Sequence, residues 1–145
     1  MGGIILSSEP ILSTGTMDDY DAHRIDLCIP DGSQDLPIDK AIILENRLDD
    51  LHAIDWDKGC YLGQELMART KHRGLIRKTL RTVKFEGPAP ENNETLFYEE
   101  AKAGVMRTSC KDKGLALTRI ETANKSLDEK KPLISESGKK VTVVS

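Results

Sequence analysis

Ala103-Gly104-Val105-Met106-Arg107-Thr108-Ser109 and Leu115-Ala116-Leu117-Thr118-Arg119-Ile120 flank the polar break Lys111-Asp112-Lys113-Gly114. Two short, largely apolar runs around a break of this kind read as strand, turn, strand. Working outward, the pattern recurs. Leu80, Val83 and Phe85 alternate in part from Thr79 onward, Gly87-Pro88-Ala89-Pro90 breaks the run, Glu91-Asn92-Asn93-Glu94 is a loop and Thr95-Leu96-Phe97-Tyr98 is a short strand. On the far side Pro132-Leu133-Ile134 and Val141-Thr142-Val143-Val144 complete the set. So many short strands in so little chain predict a small antiparallel β-barrel over residues 79–145, because closure removes unpaired edges.

Ahead of the barrel the pattern is mixed, so the whole reads as α+β. Gly3-Ile4-Ile5-Leu6-Ser7 suggests a strand. Thr16 or Asp18 can cap a helix with apolar positions Tyr20, Ile25 and Leu27, and Pro30-Asp31-Gly32-Ser33 then turns the chain. From Ile38 to Leu51 the apolar residues Ile42, Ile43, Leu48 and Leu51 fall at mixed spacings that suit a helix or an irregular strand.

The chemistry is densest in Lys58-Gly59-Cys60-Tyr61-Leu62-Gly63-Gln64-Glu65, which sets an amine, a thiol, a phenol, an amide and a carboxylate side by side. Ala53-Ile54 and Trp56 lead in, and Glu65-Leu66-Met67-Ala68-Arg69 leads out with helix formers, so the local expectation is strand, glycine turn, helix. Cys60 then lies at or just before a helix N-terminus, where the dipole and the Lys58 ammonium both favour a thiolate. Cys60 and Lys58 are therefore the candidate reactive pair, and Cys60 is expected to alkylate at lower pH than Cys28 or Cys110. Gln64, one turn on, is placed to hold a ligand by its amide, and Glu65 and Arg69 have the spacing of an i,i+4 pair. The plain alternative makes Cys60 a small buried hydrophobe and the glycines turn formers.

Whole-chain balance bounds the rest. At 145 residues, 38% hydrophobic and 31% charged, the composition is that of an ordinary globular protein. One Trp, three Tyr and two Phe offer no base-stacking platform, and a net charge of -3 disfavours nucleic acid as the main partner. Three cysteines with no CxxC, and His23, His52 and His72 with no HxxxH, suit neither a disulfide framework nor a metal site and point to a reducing compartment. No run approaches the roughly 20 apolar residues of a membrane span. A cytoplasmic location is expected, or the mitochondrial matrix in a eukaryote. Against the acidic background, Arg69, Lys71, Arg73, Arg77, Lys78, Arg81 and Lys84 form a basic run with no carboxylate between Leu66 and Phe85. Such a run suits an anionic ligand whose affinity falls as salt rises, or a solvated face balanced by carboxylates elsewhere.

The string KGCYLGQE, with Ala68-Arg69 and Arg73-Gly74 after it, resembles the signature of the YgfZ-type folate-binding proteins. These are relatives of the aminomethyltransferase (GcvT, or T-protein) of the glycine cleavage system. Upstream, the segment from Tyr20 to Pro30 is similar to the family's Y-x-x-x-R-I-E-x-G-I-P, and Gly104 to Ile120 and Lys139 to Val144 look like its C-terminal barrel. The resemblance implies that residues 1–78 are the C-terminal part of a GcvT-like folate-binding region, more of which would precede them, and that residues 79–145 are the barrel. It implies tetrahydrofolate as cofactor, with Asp26, Arg24, Tyr61, Gln64, Glu65 and Arg69 on the binding side and Cys60 with Lys58 as the reactive groups. In T-protein relatives the acidic residue of the R-x-E segment contacts the pterin, which suits a carboxylate because two oxygens accept two parallel N–H bonds. Asp26 is one methylene shorter than the family's residue, and Leu27-Cys28 stands where the family has Ala-Gly. The implied role is maturation or repair of iron-sulfur enzymes, with folate and iron-sulfur client enzymes or assembly proteins as partners. Two other classes stay open. One is a true aminomethyltransferase moving a one-carbon unit to tetrahydrofolate, of which KGCY is not the hallmark; the other is a non-catalytic module that docks a partner through the basic run.

Overall fold

The computed structural model describes residues 5–60, 63–72 and 76–144, leaving aside the side chains of Leu66, Arg69, Lys71 and His72. The first helix, α1 (Met17–Asp26), starts at a reciprocal capping box. The Thr16 hydroxyl accepts from Asp19 N at 3.2 Å, and the Asp19 carboxylate accepts from Thr16 N at 3.0 Å. The helix stops where Cys28 turns to φ 55°, with Cys28 N donating to Ile25 O and Ile29 N to Arg24 O. Those two bonds make a Schellman motif, whose left-handed residue is usually glycine because a Cβ strains it. Cys28 stands at the glycine of the R-I-E-x-G-I-P pattern and keeps its backbone shape. Of the expected apolar positions only Ile25 is buried, while Tyr20 and Leu27 are 56% and 43% exposed, because α1 meets the barrel along one narrow side.

From α1 to residue 60 the chain is a series of turns. Asp31 fixes the expected one by accepting from Ser33 N, Ser33 Oγ and Gln34 N. Residues 38–51 are neither helix nor strand. The strand expected at Ala53 to Trp56 is instead irregular, although Ile54 is buried. Residues 5–7 likewise form no strand, and Gly3 and Ile4 lie outside the described residues. Helix α2 (Gln64–His72) follows Gly63, whose φ of 87° a residue with a Cβ would take only under strain.

The barrel comprises β1 (Lys78–Phe85), β2 (Thr95–Tyr98), β3 (Ala101–Cys110), β4 (Lys113–Arg119), β5 (Leu133–Ser135) and β6 (Lys140–Val143). Every pairing is antiparallel and the ring closes in the order β1-β4-β3-β2-β5-β6. The β3–β4 turn is tighter than the break in the sequence, since Cys110 pairs with Lys113 and only Lys111 and Asp112 lie outside the strands. One element was not expected: the run ending at Ile120 stops being a strand at Arg119, and Ile120 opens α3 (Ile120–Asp128). Tyr98 donates its hydroxyl proton to the Glu129 carboxylate just past α3, and Ser126 Oγ donates to Lys131 O at 2.7 Å, which tie that helix to β2 and to the approach to β5.

Two cores result. Val83, Phe85, Leu96, Met106, Ala116, Leu133 and Val141 pack in the main one, while Ile25 and Cys28 join Leu80, Leu115 and Leu117 in the second. Leu80 lies opposite Leu117, and the two share the face that α1 covers. With both faces of β1 and β4 covered, Leu115, Ala116 and Leu117 are all buried, so alternation in these strands is only partial.

Candidate functional site

Arg24 lies on α1 and is 3% exposed, and each of its guanidinium nitrogens already donates. Nε reaches Asp21 Oδ1 at 2.6 Å, Nη1 reaches Asp35 Oδ2 at 2.9 Å, and Nη2 reaches Thr108 Oγ1 at 2.9 Å. Asp35, fully buried, also accepts from Thr108 N at 2.8 Å and from Asp31 N at 2.8 Å. Burial works against the charge on Arg24, but Asp21 and Asp35 outweigh it and hold the proton more tightly than on an ordinary arginine. The residue therefore fastens α1 and the Asp31 turn to β3.

Asp26, at the end of α1, forms an ion pair with Lys113 beside the β3–β4 turn, and the bond raises the pKa of Lys113. Half of Asp26 stays exposed, at 49%. Arg24 and Asp26 thus point to different partners and do not converge on one pocket.

In the motif, Lys58 and Cys60 are exposed and sit in irregular backbone, with Cys60 four residues ahead of the first residue of α2. Gln64 is half-buried and Glu65 exposed. Tyr61 and the Arg69 side chain lie outside the described residues, and the expected Glu65–Arg69 pair with them. The three thiols differ: all are free, Cys60 is exposed, Cys110 is half-buried and donates to Asp18 O at 3.4 Å, and Cys28 is buried. Among the described residues no group of three His, Cys, Asp or Glu side chains is placed to hold a metal. No described helix is long and apolar enough to cross a membrane.

The basic run does not form one stripe. Arg77 and Lys78 join Arg119 and Glu121 around an open cavity of about 660 Å³, Lys84 lines a different one, and Arg81 donates to Asn124 Oδ1 of α3 at 2.8 Å. Arg73 and the side chain of Lys71 lie outside the described residues. Sequence reading missed Asp35, Thr108 and Arg107, because their partners are remote in the chain. Arg107 is 8% exposed, donates to Asn93 Oδ1 at 2.5 Å, and has its proton loosened by burial, with Asp35 opposing.

Comparison with known proteins fits this geometry. The family of the CAF17 C-terminal β-barrel domain matches residues 77–145, the stretch that forms the closed ring. The mitochondrial iron-sulfur cluster assembly factor IBA57 of Mus musculus is 42% identical over 114 aligned positions that cover 74% of this chain and 32% of the relative. The Homo sapiens factor of the same name is 40% identical over 71% of this chain and 30% of its own length. A homolog from Mycosarcoma maydis is 41% identical over 56% of this chain and 22% of its own. The chain spans a third or less of the length of these relatives.

Proposed function

We propose, from the match of residues 77–145 to the CAF17 C-terminal β-barrel domain and the likeness of the chain to the IBA57 iron-sulfur cluster assembly factors, that it serves in the maturation of iron-sulfur enzymes in the mitochondrial matrix. The observation that carries this reading is the 42% identity to the mouse factor over 74% of the chain. The exposure of Cys60 and Lys58 supports a more specific form of it. Cys60 meets a sulfur or iron-sulfur intermediate as a transient ligand, the cluster being cargo.

Tetrahydrofolate enters the proposal as the ligand that the family resemblance adds. The residues fit it only in part. Arg24 has no free nitrogen and one oxygen of Asp26 is bound to Lys113, so the two do not form an open clamp for a pterin. Gln64 and Glu65 lie at the start of α2. Trp56, the one tryptophan of the chain, stands near the motif and provides the readout.

The test uses the complete protein in cells depleted of their own factor. Restored iron-sulfur enzyme activity with the parent, and a several-fold loss with Cys60→Ala, are expected. No restoration by the parent rejects the maturation role, and full restoration by Cys60→Ala removes Cys60 from it. Titrating tetrahydrofolate against Trp56 fluorescence tests the ligand, and turnover in the glycine-cleavage half-reaction would instead support the aminomethyltransferase. In the folded chain Cys60 should alkylate fastest and Cys28 slowest, in the order of their exposure.

A further inference from the structure

Two stretches of the ring have a strand on one side only. Strand β6 pairs with β1 at Val83, Lys84 and Phe85, and β2 pairs with β3 no further than Val105. Beyond Met106 a register shift also takes Arg107 and Thr108 out of step with β4. In each stretch one strand amide finds its acceptor in the chain ahead of the barrel. Leu80 N donates to Glu45 O at 2.8 Å, and Thr108 N donates to Asp35 Oδ1 at 2.8 Å. Residues 17–60 thus lie across the ring as a strap that spans from β1 to β3.

The strap is held firmly at one place and thinly elsewhere. At Asp35 a single buried carboxylate accepts from Thr108 N, from Thr108 Oγ1 at 3.0 Å and from Arg24 Nη1 at 2.9 Å, and both Arg24 and Thr108 are buried with it. Ile25 and Cys28 add apolar cover by packing with Leu80, Leu115 and Leu117. Between Asp35 and the Glu45 bond, by contrast, Ile38, Ile42 and Ile43 stay exposed. A segment with few buried apolar contacts and few anchoring bonds opens at lower free energy than the whole molecule unfolds. The strands pair with one another around the circle, so the ladder survives without the strap.

We infer that residues 17–60 open from the barrel as one unit while the ring stays closed, with Arg24, Asp35 and Thr108 as the latch. Opening bares Leu80, Leu117 and the Cys28 thiol, and it moves Cys60, at the end of the strap, away from the ring. The latch thereby sets access to a thiol that the closed state buries. This device stands apart from the maturation reading and does not depend on it.

Native-state hydrogen exchange of the ¹⁵N-labelled full chain, in urea below the unfolding transition, tests it. The Thr108 and Leu80 amides should share one opening free energy, lower than that of the ladder amides between strands, because their acceptors leave together. Alkylation of Cys28 in the native chain should give the same opening constant. Asp35→Asn keeps the shape of the latch and removes its charge. All three sites should then open about tenfold or more as often, as for loss of a charge-assisted bond, with the ladder amides unchanged. Leu80 decides the matter, since the substitution leaves its own acceptor, Glu45 O, in place. If Thr108 quickens and Leu80 does not, the strap does not open as a unit and the inference falls. It falls equally if Thr108 and Leu80 in the parent exchange only as the ladder does, a result that needs no variant and stands even if Asp35→Asn does not fold.

Discussion

In the barrel six strands exchange main-chain hydrogen bonds around a closed ring, whereas residues 5–60 hold one short helix and a succession of turns. The side chains follow the same division. Eleven of the thirteen exposed large hydrophobics among the described residues precede residue 52, while Ile25 and Cys28 of that segment pack in a core shared with Leu80, Leu115 and Leu117 of the barrel. Its order is borrowed at a few points: Arg24 and Asp35 on Thr108, Ile25 O on Thr82 Oγ1 at 2.8 Å, and Glu45 O on Leu80 N. A closed sheet satisfies its backbone internally, while a chain of turns depends on a few strong bonds to something rigid.

The sharpest way to break that contrast is Asp35→Ala. The substitution leaves the buried Arg24 short of a carboxylate and leaves Thr108 N and Asp31 N without their acceptor. Removing one partner of a buried pair costs about 3–5 kcal/mol. The expected outcome is rapid proteolysis between residues 27 and 60 with the β signal in circular dichroism retained. Loss of the β signal together with the segment would show that the barrel depends on the segment as much as the reverse.

Gly104→Ala attacks the other side of the comparison. A Cβ there would lie 2.5 Å from Leu117 O and 2.9 Å from Thr118 Cα, both backbone atoms of the neighbouring strand that cannot swing away. Overpacking of this kind costs about 1–3 kcal/mol, read as a lower urea midpoint with the protease pattern ahead of the barrel unchanged. Thr16→Ala is milder. It removes the cap of α1 at a cost of about 1 kcal/mol, and hydrogen exchange should quicken in the first turn of α1 while the barrel amides stay protected.

The two regions also differed in how far they could be read from residues alone. The strand positions and the β3–β4 turn follow from local pattern, because a barrel strand takes its conformation from its own alternation and its neighbours'. Helix α3 was missed although Ile120, Ala123 and Leu127 repeat at helical spacing; Ile120 simply continues the apolar run of β4. The turns from 38 to 51 carry mixed spacings because no regular element is there. For the candidate site, the exposure of Cys60 agrees with its polar surroundings, but the commitments of Arg24 and Asp26 were not legible. Their partners Thr108 and Lys113 are 84 and 87 residues away, and only the fold brings them together. The glycine of the family pattern was legible in the opposite sense: Cys28 replaces it, yet φ 55° shows what that glycine serves.

The smallest effect concerns acid, and it belongs to the barrel alone. Glu94 lies just ahead of β2, and its carboxylate accepts from Glu91 N at 2.8 Å and from Ser137 N at 2.7 Å, joining that loop to the β5–β6 turn. Burial pushes its pKa up, but the bonds from Ser135, Ser137 and Glu91 outweigh burial and bring it from 4.5 down to about 2. A carboxyl that is more acidic in the folded state than in the unfolded chain stabilises the fold above its unfolded value. That contribution is complete above about pH 4.5 and is lost as pH falls toward 2. Because the group borders solvent, screening holds the effect to about 1 kcal/mol or less. Glu94→Gln cannot titrate and gives up one of the two N–H contacts to an amide nitrogen. Urea midpoints of parent and variant should therefore differ at pH 6 and converge as pH is lowered through this window. The segment ahead of the barrel should show the same protease pattern in both proteins throughout. A gap that stays constant from pH 6 to 3 would show that Glu94 acts there by shape and not by charge.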